Sequence, residues 1–118
     1  MVPHSVSEIT VEELATKFQS QEHFILLDVR EGWELDLAKI IDGRLEILPM
    51  SWLEEEGIRA LPEPAKSHET EIFVLCHHGV RSAAVTNWLA TQGWKNIFSV
   101  IGGIDEYARK IDDSVGLY

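Results

Sequence analysis

At 118 residues, with 45% hydrophobic and 25% charged residues, the chain has ordinary globular composition, which excludes extensive disorder and predicts one domain over residues 1–118. Ten Lys+Arg against 20 Asp+Glu give a formal charge of −10, a general field that opposes nucleic acid and anionic membrane surfaces as partners. No run of about 18 apolar residues spans a bilayer, the N-terminus lacks the basic-then-apolar pattern of a signal peptide, and the single cysteine excludes an internal disulfide framework and fits a reducing, cytoplasmic setting.

Taken in order, residues 1–7 read as a loose start. Thr10-Val11-Glu12-Glu13 is a capping box that opens a helix with Leu14 and Phe18 on one face, ending near Ser20. Residues 24–29 form a continuous apolar run too short for a capped helix, so they predict a strand covered on both faces, with Asp28 and Arg30 at its carboxyl end. A short helix follows within residues 31–39. Residues 45–49 suit a short strand, and Ser51-Trp52-Leu53-Glu54 reads as a second capping box opening another short helix. Pro62, Pro64 and Ser67 then mark a loop.

The apolar run 71–75 predicts a central strand, and residues from about 81 to 91 predict a helix capped at Gly93. Residues 96–100 give one more strand, after which Gly102 and Gly103 turn the chain into a last helix from about 105 to 111. Strands separated by helices imply parallel pairing with right-handed crossovers. The expected fold is therefore three-layer α/β: a mostly parallel central sheet of about five strands, with helices on both faces.

Between the strand 71–75 and the helix after it stand Cys76-His77-His78-Gly79-Val80-Arg81. A loop wrapped over the first turn of a helix points N–H groups inward, where they and the helix dipole favour negative charge, so a thiol placed there ionises more readily. Gly79 supplies the backbone freedom such a curl needs. Arg81 can close the ring with a permanent positive charge and a fork of donors. The competing reading of a cysteine after an apolar strand is a small buried residue. Ligands crossing an open α/β sheet lie outside the carboxyl ends of the strands, which puts Asp28, Arg30 and Cys76 on one rim. For Asp28 and Arg30 the choice lies between contact with substrate and an ion pair bracing the strand end, and the pairing of opposite charges favours bracing.

The segment Cys76-His77-His78-Gly79-Val80-Arg81-Ser82-Ala83 resembles the active-site loop of the rhodanese family of sulfurtransferases: a Cys, four intervening residues and commonly an Arg, then a small-residue helix. Leu27-Asp28-Val29-Arg30-Glu31 is similar to the family's early Asp-Val-Arg-Glu signature, and Ile101-Gly102-Gly103-Ile104 to its late Gly-Gly motif. The chain departs from the family at Ala38-Lys39-Ile40-Ile41-Asp42-Gly43, where a Gly-His or Ala-His pair is usual. Residues 112–118 resemble tails of bacterial single-domain rhodaneses and of rhodanese domains fused to sulfur-carrier activating enzymes. That tail either packs Tyr118 as an aromatic anchor or extends free.

The resemblance implies a two-step transfer. Cys76 takes the outer sulfur of a donor such as thiosulfate, forms a persulfide, and passes that sulfur to a thiol or cyanide. Loop amides would stabilise the charge at each stage, with no cofactor and no metal. Because the chain has one cysteine, the acceptor must be external: a small thiol, cyanide or a sulfur-carrier protein. His77 and His78 hold positions that vary in the family, and either tune donor choice or shape the mouth. Two other readings stand beside this one. A catalytically weak, partner-binding module of the same family typically lacks the cysteine. A cysteine-dependent phosphatase carries five residues between Cys and Arg, where this chain carries four.

Overall fold

Three short runs of Ile, Leu, Val and Phe make the interior of the sheet, because side chains of that kind suit strands covered on both faces. The structure is a computed structural model that describes residues 6–118; of the loose start expected at residues 1–7, residues 1–5 lie outside the described residues and residues 6–7 belong to no helix or strand. The strands are β1 (Glu8–Ile9), β2 (Ile25–Asp28), β3 (Leu45–Ile47), β4 (Ile72–Leu75) and β5 (Ile97–Val100). They form one five-stranded sheet in the order β1-β5-β4-β2-β3, with every pairing parallel. The parallel sheet and flanking helices agree with the sequence-based expectation, and the sheet is wholly rather than mostly parallel.

The helices are α1 (Val11–Gln19), α2 (Gly32–Leu35), α3 (Met50–Glu56), α4 (Val80–Thr91) and α5 (Gly103–Lys110). Alternation along the strands sends Ile25, Leu27 and Val74 to one face, against Leu53 of α3 and Val85 and Leu89 of α4. Leu26, Phe73 and Leu75 go to the other, against Val11 and Leu14 of α1 and Ile104 and Tyr107 of α5. None of the described helices is long and apolar enough to cross a membrane.

The Thr10 capping box forms as expected: the Thr10 hydroxyl accepts from Glu13 N–H, and the Glu13 carboxylate accepts from Thr10 N–H. The second box does not. Helix α3 begins at Met50 after Pro49, and no side chain of its own caps it. Ser51 instead donates its hydroxyl to Glu31 at 2.7 Å and its N–H to the same carboxylate at 3.2 Å. A charged acceptor is the stronger partner, so Glu31 caps this helix from a distance. Strand β1 was not expected, since two residues carry no readable alternation. Helix α5 also begins two residues before the expected start, at the second glycine of the pair.

Candidate active site

Register places the site. Asp28 pairs with Leu75 across β2 and β4, so Asp28 and Arg30 lie next to the point where β4 ends and Cys76 begins the loop. The loop curls into α4 through Gly79, whose φ of +103° is a left-handed conformation that a side chain would strain. The curl turns two amides onto the sulfur: Gly79 N–H reaches Cys76 Sγ at 3.0 Å and Ser82 N–H at 3.3 Å. The thiol lies 3.3 Å from Ser82 Oγ, which is 2.8 Å from Ser99 Oγ on β5. Two features stand together at Cys76, burial and inward-facing donors. The side chain is buried, at 1% exposure, among apolar residues such as Val85, and its sulfur still faces inward-pointing donors.

The outer side of the loop is tied down by the Gly102-Gly103 turn. Cys76 C=O accepts from Ile104 N–H at 2.9 Å and His77 C=O from Asp105 N–H at 3.1 Å. With these carbonyls held by the first turn of α5, the loop's N–H groups are left for the inside. Gly103 has φ +62°, and a Cβ there would run into the carbonyl oxygens of Cys76 and His77. The glycine pair and the cysteine loop are one construction.

Arg81 does not close the ring as a free cation. Its fork grips Glu34 with bonds of 2.7 and 2.8 Å, and Glu34 is 3% exposed. Glu34 also accepts Glu31 N–H and the Tyr118 hydroxyl, each at 2.8 Å. Chiefly through the Arg81 hydrogen bonds, the Glu34 carboxyl is pulled from its ordinary 4.5 down to about 2, while Arg81 is pushed up by the same contact. Asp28 and Arg30 form a fully buried pair, Arg30 Nη2 lying 2.9 Å from Asp28 Oδ2. Arg30 also donates to the carbonyls of Glu34 and Ala38 and to the Tyr118 hydroxyl. Every guanidinium nitrogen of Arg30 is thus held by protein.

The tail packs instead of extending free. The Tyr118 ring stacks on His77 with centroids 3.7 Å apart and planes 6° from parallel, and His77 Nε2 lies 2.9 Å from the main-chain oxygen of Tyr118. Burial, then the neighbouring His78, pushes His77 below the usual histidine value. His78 and Val80 are exposed at the rim, and His78 Nδ1 is 3.9 Å from Asp105. The donor atoms of His77, His78 and Asp105 lie within 4.8 Å of one another, the one grouping among the described residues that could hold a metal. Asp105, however, already holds Arg109 at 2.9 Å and sits in the first turn of α5, where the helix dipole favours anions. A hollow of about 370 Å³ between α3 and α4, lined by Met50, Leu53, Val85 and Trp88 among others, includes no residue of the loop.

Sequence reasoning placed Cys76, Gly79 and Arg81 on the loop but missed Glu34, Ser82, Ser99 and Tyr118 as neighbours. Glu34 carried one signal, its place three residues after Glu31 at a helix start.

An all-parallel α/β sheet with a cysteine loop at the carboxyl end of its central strand, locked by a glycine pair, defines a narrow class of protein. The rhodanese-like domain model matches residues 10–110, and the chain belongs to that family. It is 34% identical over 120 residues to the rhodanese-like/PpiC domain-containing protein 12, chloroplastic, of Arabidopsis thaliana, covering 96% of this chain but 38% of that protein. It is 34% identical over 89 residues to the thiosulfate sulfurtransferase GlpE of Haemophilus influenzae, covering 75% of this chain and 77% of the relative. A rhodanese-related protein from Thermoplasma volcanium superposes with a TM-score of 0.72 at 30% identity, over 89% of this chain and 93% of that one.

Proposed function

We propose that the chain acts as one domain over residues 1–118 and is a sulfurtransferase that moves a sulfane sulfur, from a donor such as thiosulfate, to a thiol or cyanide acceptor. Cys76 is the nucleophile and carries the sulfur as a persulfide. The observation behind this reading is the pair of amides, from Gly79 and Ser82, aimed at Cys76 Sγ. They stabilise a thiolate before transfer and a charged outer sulfur after it, at no cost in reorganisation. His77, His78, Gly79, Val80 and Arg81 form the donor-binding loop, while Asp28 and Arg30 support the backbone beneath it. Ser82 adds a hydroxyl to the same sulfur, with Ser99 behind it.

With one cysteine, the loaded protein has no internal thiol to resolve the persulfide, so the acceptor is an external thiol, cyanide or a sulfur-carrier protein. A reducing compartment such as the cytoplasm keeps the single thiol free. The test is mass spectrometry of the intact protein after incubation with sulfane donors, then with each acceptor. The expected result is a gain of one sulfur atom at Cys76, lost again on addition of an acceptor and absent in Cys76→Ser. A folded protein whose mass stays unchanged with every donor would exclude the transferase.

A further inference from the structure

We infer that the loop is built for a sulfane donor bearing a single negative charge, an organic persulfide, in preference to a dianion such as thiosulfate, and that Glu34 sets the preference. This rests on the sulfur-transfer reading and narrows its donor.

The charges around the loop are spent before any donor arrives. Both ends of the Arg81 fork lie on Glu34. That carboxylate also accepts Glu31 N–H and the Tyr118 hydroxyl, so swinging away to release the guanidinium would break those two bonds as well. Arg30 is buried against Asp28, and Arg109 holds Asp105. His77 lies under the Tyr118 ring, where burial favours the neutral imidazole. His78 faces Asp105. What remains to attract a donor is the set of loop N–H dipoles, within a chain of formal charge −10. Dipoles of this kind suit one localised charge, whereas a dianion meets the repulsion of the whole field with no unpaired loop guanidinium among the described residues to offset it.

An organic persulfide, R–S–S⁻, puts one charge on its terminal sulfur and brings a carbon group. Val80, 79% exposed on the loop, offers that group an apolar contact that a sulfonate cannot use. In the transfer, Cys76 Sγ forms a bond to the outer sulfur while the S–S bond of the donor breaks. The electron pair of that bond leaves on the R–S group, which takes the proton given up by the Cys76 thiol. The products are a Cys76 persulfide anion and R–S–H, so the outer sulfur changes partners with no external oxidant or reductant.

The experiment measures the rate of persulfide formation on Cys76 with cysteine persulfide and with thiosulfate, in the wild-type protein and in Glu34→Gln, which frees the Arg81 charge. Comparing the two proteins removes the intrinsic reactivity of each donor. The expected result is faster loading from cysteine persulfide in the wild type, and a shift of about tenfold toward thiosulfate in Glu34→Gln. A donor ratio that the substitution leaves unmoved, or a wild type that loads from thiosulfate at least as fast, would overturn the inference while leaving sulfur transfer standing. Should neither donor load the folded protein, both fall. If Glu34→Gln does not fold, ionic strength decides in the wild type: salt that speeds thiosulfate loading supports a repelled dianion, and salt that slows it overturns the inference.

Discussion

Arg81 at the start of α4 and Glu34 in α2 meet through two parallel hydrogen bonds of 2.7 and 2.8 Å, across 47 residues of chain. The pair therefore joins the cysteine loop to the segment that follows β2. Its effect on stability can be read from pH. Glu34 titrates near 2 in the fold against an ordinary 4.5, so the unfolded chain binds the extra proton between those values. The contribution is whole above about pH 4.5 and drains away as pH falls toward 2. The shift corresponds to about 3 kcal/mol, and solvent at Arg81 lowers that to about 2 kcal/mol. Glu34→Gln should accordingly be less stable than the wild type at neutral pH, and the two should converge in acid; urea denaturation at stepped pH measures it.

Gly103→Ala should cost about 3 kcal/mol, since it combines a positive φ with a collision against the carbonyl oxygens of Cys76 and His77. Relieving that collision pushes the loop outward, so Cys76 should also react faster with a thiol reagent. Gly32→Ala is the contrasting case. Nothing lies within 4 Å of its Cβ position and its φ is not positive, so its stability and labelling rate should stay near those of the wild type.

Asp28→Ala leaves Arg30 charged, at 0% exposure, without its carboxylate. Breaking a buried pair from one side costs about 3–5 kcal/mol. The double substitution Asp28→Ala with Arg30→Leu removes both charges and should recover part of that loss. Thermal melts of the two single variants and the double one would show it as a strong non-additivity. Additive losses would mean the pair is not coupled.

Tyr118→Ala should expose His77 and let its titration rise toward the ordinary histidine value, as followed by NMR of the ring protons. The sign for stability follows from the direction of the shift. With the folded value lowered, the unfolded chain binds more protons as pH drops below about 6.5, so the fold loses stability there. That loss should be smaller in Tyr118→Ala than in the wild type. Removing the stacked ring and its hydrogen bonds with Arg30 and Glu34 should lower stability at neutral pH by about 1–2 kcal/mol.

The sheet and the loop were legible because their signals are local. Apolar runs with no polar alternation name buried strands, and Cys76, Gly79 and Arg81 fall within six consecutive residues. What stayed hidden depends on partners far apart in the chain. Nothing near Ser51 says that its hydroxyl will find Glu31 instead of its own helix, because the choice is made by how β2 delivers Glu31 to that spot. Arg81 read as a free charge for the same reason: Glu34 sits 47 positions away and becomes its neighbour only after folding. The fate of the tail was open until Arg30, Glu34 and His77 had been assembled into a seat for Tyr118.

The margins of the sheet are closed off by brevity. Strand β1 on one side offers two residues and β3 on the other three, so an incoming extended chain finds few free backbone groups to copy. The longer apolar strands that would template fibril growth, β2, β4 and β5, all lie inside these guards. Outer strands this short leave little backbone for edge-to-edge pairing, and substitutions that lengthen either one are the ones to expect in aggregating variants.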